Sequence, residues 1–107
     1  MNSKKKGKRG ELEWAAFCRA QGYDCRRTAQ YCGKTGEADD VVGLPGVHIE
    51  VKRVERLVLD EAMSQAIHDS KGDAFPIVAH RKNYAPWLVT MRAEDWFELY
   101  KEWEAGH

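Results

Sequence analysis

Residues 36–53 read Gly36-Glu37-Ala38-Asp39-Asp40-Val41-Val42-Gly43-Leu44-Pro45-Gly46-Val47-His48-Ile49-Glu50-Val51-Lys52-Arg53. Two runs of β-like composition, 38–42 and 47–53, flank a Gly-Leu-Pro-Gly turn, which predicts a hairpin. The second run alternates: Val47, Ile49 and Val51 on one side, His48, Glu50 and Lys52 on the other. Glu50 and Lys52 therefore project side by side, and hairpin pairing would bring Asp40 near them. Two carboxylates and a lysine on one sheet face can hold a divalent metal and a water beside a phosphate. The competing reading is an ordinary half-buried strand with its polar side in water, and an E-x-K tripeptide alone does not decide between them.

Working outward, the preceding segment predicts a helix over 8–21. Trp14, Phe17 and Cys18 recur at helical spacing with Leu12 and Ala15 beside them, and Gly22 is a good terminator. Glu11 points along the apolar stripe, an unusual place for a carboxylate; it favours the helix dipole or reaches into a site. Glu13 falls off the stripe and reads as solvated. Residues 23–28 predict a short strand whose Arg26 and Arg27 face opposite ways. Residues 29–35 read as a loop with Gly33 and Lys34 at its tip, a candidate for substrate contact.

Downstream, Leu59, Ala62, Met63, Ala66, Ile67 and Ser70 follow helical spacing over 59–71, ending at Gly72. The stripe reads as core. Gln65 lies on the other side, either solvated or approaching the Glu50 face. Residues 74–80 and 87–91 predict two strands joined by a turn, in which Arg81 and Lys82 contact phosphate or keep the turn soluble. Over 93–103 a last helix carries Trp96, Leu99, Tyr100 and Trp103 as core or as a dimer surface.

The whole is one α/β domain over residues 1–107, in the order α-β-β-β-α-β-β-α, with a mixed central sheet of about five strands flanked by helices. Residues 1–7 read as a basic flexible arm. Hydrophobic residues make up 43% of the chain, enough for one modest core. No apolar run approaches membrane-spanning length and no secretory signal is apparent. Cys18, Cys25 and Cys32 are odd in number, which argues against a disulfide framework and for reduced thiols in a cytoplasm. The formal net charge is zero, yet residues 1–35 carry nine Lys/Arg against three acids, and residues 36–107 carry eight against fourteen. Such a basic segment is either a footprint for nucleic acid or a solubilising terminus.

Taken together, four elements resemble the PD-(D/E)XK nuclease superfamily, most closely its archaeal-type Holliday junction resolvase branch with phage-encoded relatives. They are Lys6-Gly7 leading to Glu11 and then Gly22-Tyr23; Arg27 at the end of the first strand; Asp40-Val41-Val42; and Glu50-Val51-Lys52. The proline usual before the Asp is replaced by Asp39, which leaves Asp39 an alternative to Asp40 as ligand. Gln65 is similar to a glutamine of some branches, but the tyrosine four residues on is Asp69 here.

The resemblance implies a restriction-endonuclease-like core and a Mg²⁺- or Mn²⁺-dependent structure-specific DNA endonuclease that resolves four-way junctions. Its catalytic set would be Glu11, Asp40, Glu50 and Lys52. Metal ligands would be Asp40, Glu50, the Val51 backbone carbonyl and Glu11; Gln65 would be accessory. Lys4, Lys5, Lys6, Lys8, Arg9, Arg27, Lys34 and Arg53 would contact DNA, branched or duplex. It further implies a homodimer, and a host cytoplasm if phage-encoded. A nicking, flap or restriction-like endonuclease, or a non-catalytic DNA-binding module, are the alternatives.

Overall fold

The computed structural model describes residues 3–28, 41–70, 72 and 74–107, with side chains from residue 7 onward. Its elements are α1 (Ser3–Ala20), β1 (Arg26–Arg27), β2 (Val41–Val42), β3 (Val47–Arg53), α2 (Leu59–Asp69), β4 (Phe75–Arg81), β5 (Leu88–Met91) and α3 (Ala93–Ala105). This is a mixed α/β chain in the element order that the sequence pattern predicts.

The strands do not form one central sheet. Among the described residues, β1 and β2 make an antiparallel pair, and β3, β4 and β5 make a separate three-stranded sheet in that order. The expected hairpin between the segments on either side of the Gly-Leu-Pro-Gly turn is replaced by pairing of β2 with β1, Arg26 opposite Val42 and Arg27 opposite Val41. Gly43 supplies the physical reason. Its φ of +126° suits only glycine, and a Cβ there would lie 2.5 Å from the Asp24 carbonyl oxygen. The backbone is thus pressed against the segment leading into β1, and the turn carries the chain from one sheet to the other.

Within the larger sheet, β3 and β4 are parallel, with Glu50 opposite Val78 and Lys52 opposite His80. β4 and β5 are antiparallel, with Ile77 opposite Met91. A parallel pair needs a crossover, and α2 provides it. Pro76 is tolerated in the middle strand because β5 pairing begins only at Ile77.

The period-2 alternation sorts side chains between two layers. Ile49, Ile77 and Ala79 pack with Trp14, Ala15 and Cys18 of α1 and with Cys25 and Val41, and Val47 and Val51 border them. On the opposite face Val78 packs with Ala62 and Ala66 of α2, bordered by Leu57 and Met63. The sheet is therefore covered on both faces, and the His48, Glu50 and Lys52 side is not simply turned to water. Gly10 lets α1 come close, since a Cβ there would meet the Arg53 Cβ at 2.7 Å.

Helix α1 starts at Ser3, earlier than the expected Lys8. Residues 3–7, expected as part of a basic flexible arm, fall within this helix; Lys4, Lys5 and Lys6 are good helix formers and no proline interrupts them. Strand β1 is only two residues long, shorter than the predicted 23–28. The predicted aromatic stripe of α3 is not core: Trp96, Leu99, Tyr100 and Trp103 are all exposed. Cys18 and Cys25 are buried free thiols, and burial together with Cys25 pushes the Cys18 thiol up to about 12. Cys32 lies outside the described residues.

Candidate functional site

Among the described residues, strand β3 and the end of α2 bring two carboxylates, an imidazole and a lysine together. Lys52 Nζ lies 3.8 Å from Glu50 Oε2 on the strand face turned toward α2. His48, two residues earlier on that face, is buried. Asp69 closes the last turn of α2 beside them. One ligand atom from each of His48, Glu50 and Asp69 falls within 4.8 Å of the others.

The group arises from elementary geometry. Residues 48, 50 and 52 share a face because the strand period is two. The crossover helix must lie over that face, so its C-terminal turn delivers Asp69. Gln65, one helical turn before, donates its side-chain amide to Asp69 Oδ2 at 2.7 Å, and His68 Nδ1 is 3.1 Å from Oδ1. The Gln65 hydrogen bond, then that of His68, holds the Asp69 carboxyl below its ordinary value. It is therefore a fixed negative charge at neutral pH. Two carboxylates and an imidazole at this separation match the donor set of a divalent first-row cation, with the carboxylates also suited to Mg²⁺.

The other expected site residues divide. Glu11 is buried and pairs with Arg27, whose Nε donates to Glu11 Oε1 at 2.7 Å. These two candidates, one for metal and one for phosphate, bind each other. Among the described residues Glu11 does not join the group around Glu50. Helix α1 covers the Val47/Ile49/Val51 face, whereas Glu50 projects from the other. Val51 is in register with Ala79, between Glu50 and Lys52. Asp40, Asp39 and Lys34 lie outside the described residues, as do the side chains of Lys4, Lys5 and Lys6.

Arg53 is also engaged within the fold. Its Nε donates to Glu13 Oε1 at 2.9 Å. The same carboxylate lies 3.5 Å from Arg81 Nη1, and its Oε2 is 3.8 Å from Arg9 Nε. Glu13, which the helical pattern leaves to solvent, is instead the hub of three arginines. Arg81 further donates to the Ala85 carbonyl at 2.8 Å and stands over the Trp87 ring, so it braces the turn. Of the expected DNA contacts with described side chains, Lys8 and Arg9 remain the exposed cations.

Sequence reasoning missed Asp69 and His48 as members of the group, and Glu13 as a hub. His48 was recoverable from its place on the Glu50 face. The i,i+4 relation of Asp69 to Gln65 foretells their hydrogen bond but not the approach of Asp69 to Glu50. The convergence on Glu13 depends on α1 crossing β3 and β4, which no local spacing encodes.

Comparison with protein-family models, with curated proteins and with solved structures gave no match. Among the described residues no helix is long and apolar enough to cross a membrane.

Proposed function

We propose that this chain is a metal-dependent endonuclease of the PD-(D/E)XK kind that hydrolyses phosphodiesters in branched DNA such as four-way junctions. The observation that carries the reading is the pairing of Glu50 with Lys52 on one face of β3, with a further carboxylate and an imidazole gathered at ligand distance. A phosphodiester attack needs a water held near its phosphate and a positive charge for the oxygens that become more negative. Lys52 supplies the cation and orients the water. Glu50, with Asp40 and the Val51 carbonyl, would hold Mg²⁺ or Mn²⁺, whose chemistry is to acidify a bound water and offset phosphate charge. Asp69 and His48 border that position.

Glu11, paired with Arg27 beneath α1, stands apart from the group around Glu50 among the described residues. The basic start of α1, with Lys4, Lys5, Lys6, Lys8 and Arg9, would follow the DNA backbone by charge rather than by sequence. Two related cuts across a junction call for a homodimer. The setting would be a cytoplasm.

The test is cleavage of a labelled four-way junction beside a linear duplex of the same arms, in Mg²⁺ or Mn²⁺, with Glu50→Gln as control. Paired cuts in the junction alone, lost in the variant, support the reading. Equal cutting of both substrates keeps the nuclease and removes the junction preference. Binding without cutting replaces the nuclease with a DNA-binding module.

A further inference from the structure

Strands β3 and β4 run in parallel toward the same edge of the sheet, and at their carboxyl ends lies a cavity of about 180 Å³. Such ends are where ligands settle on open sheets with crossover helices. Val54 and Leu57 line the cavity from the segment that leaves β3, and Pro86 and Leu88 line it from the chain entering β5. His80, near the end of β4, is a polar member of the lining.

The cavity adjoins the Glu50–Lys52 pair. His80 is in register with Lys52, so the two side chains leave the same sheet face from strands about 5 Å apart. His80 Nε2 lies 2.9 Å from Thr90 Oγ1, which fixes the ring. Burial keeps the imidazole neutral at neutral pH, with one nitrogen to donate and one to accept. Among the charged groups of the lining, Arg81 is held by Glu13 and by the Ala85 carbonyl. Glu55 accepts the Asn83 backbone N–H at 2.6 Å. The exposed Lys82 is the cation placed to meet a phosphate outside.

Size and chemistry narrow the occupant. A cavity of about 180 Å³ has room for about six waters at roughly 30 Å³ each. That is below the roughly 300–1,000 Å³ of a site that encloses a whole drug-sized ligand. One ring system fits, and a whole nucleotide does not. The aliphatic walls disfavour a bare phosphate, whereas the imidazole calls for a polar edge. A flat ring with polar edges, joined to a phosphate, satisfies both and matches the lysines on either side.

We propose that this cavity receives one unpaired nucleobase of the DNA strand whose phosphate lies at Lys52, with Pro86 and Leu88 packing on the ring and His80 meeting its edge. The proposal rests on the nuclease reading above and narrows its substrate. That substrate is DNA with an unpaired nucleotide beside the cleaved phosphate, because a paired base leaves its stack only at added cost.

The test is metal-free binding of the full chain to two labelled four-way junctions, followed by fluorescence anisotropy. One junction carries a single unpaired thymidine at the branch point, and the other an abasic residue in its place. The wild type is expected to bind the base-bearing junction about 10-fold more tightly, toward the low end for a stacked base because these walls are aliphatic. Leu88→Trp fills the cavity from a position that is 55% exposed, so the fold is spared. It should bind both junctions with the wild type's abasic affinity. Equal affinities of the wild type for the two junctions overturn the proposal, and that comparison needs no variant. So does a preference that survives in Leu88→Trp with unchanged far-UV circular dichroism. A preference for the base without cleavage in Mg²⁺ supports the cavity's role and removes the nuclease. Cleavage with equal affinities removes the cavity's role alone. Binding to neither junction overturns both.

Discussion

Arg27 Nε donates to Glu11 Oε1 at 2.7 Å, and both side chains are largely shielded, 20% and 9% exposed. A carboxylate on the buried stripe of α1 is thereby matched by a guanidinium delivered from β1. Removing one partner leaves the other charge uncompensated in a poor solvent, whereas removing both does not. Arg27→Ala should therefore lower unfolding free energy by about 3 kcal/mol. The double variant Glu11→Leu/Arg27→Met should recover most of that loss. Urea titration of the two variants and the wild type measures it; equal destabilisation by the single and double changes would refute the pairing as the cause.

Glu13 serves Arg53, Arg81 and Arg9 at once. The bond to Arg53 is the best shielded, with the arginine side chain 19% exposed. Replacing the carboxylate by an amide keeps the shape and removes the charge common to all three. Glu13→Gln should cost about 1–3 kcal/mol. Part of that cost should fade at high salt, because three clustered cations repel and salt screens them. The midpoint of thermal unfolding at low and high ionic strength is the measurement.

The local parts of this fold are legible in the sequence. The alternation of Val47, Ile49 and Val51, the stripe of α2 and the order of the elements all follow from periods of two and 3.6. The sheet partition is not, because it turns on Gly43 closing against the Asp24–Cys25 backbone, a contact across nineteen residues of chain. For the site, Glu50 and Lys52 are legible together since one strand carries both. Asp69 is not, since its approach requires the crossover helix to lie over that strand face. The three arginines of Glu13 are hidden for the same reason. The α3 stripe shows the limit of periodicity: its spacing gives an apolar face but not what covers it.

His80 gives a pH dependence whose sign is fixed. Burial alone holds its pKa below the ordinary 6.5, and its Nε2 is 2.9 Å from Thr90 Oγ1. The folded state therefore binds the proton less readily than the unfolded chain. The stability that His80 contributes is complete above pH 6.5 and is lost progressively as pH falls from there through the depressed folded value. His80→Gln, which retains a hydrogen-bonding group without a titration, should flatten the unfolding free energy between about pH 6.5 and 5. Denaturant midpoints across that interval, compared with the wild type, decide it. A wild-type curve already flat there would contradict the assignment.

Carboxylates held near one another repel, so a cation that joins them should stabilise the folded chain. Glu50 and Asp69 stand within 4.8 Å of one another and of His48 through their ligand atoms. At a Mn²⁺ concentration a few times its Kd, the gain should be about 1 kcal/mol, seen as a rise in Tm of about 4–8 °C. Glu50→Gln should abolish the rise. Asp69→Asn should reduce it, and Gln65→Ala, which removes the amide at 2.7 Å from Asp69 Oδ2, should reduce it less. His48 adds an imidazole to the set, so Mn²⁺ should shift Tm more than Mg²⁺ at equal concentration, since imidazole ligands suit the softer ion. Asp69→Asn behaving as wild type would confine the cation to Glu50 and to residues on the β2 side. An equal shift with both metals that survives His48→Gln would remove the imidazole from the ligand set.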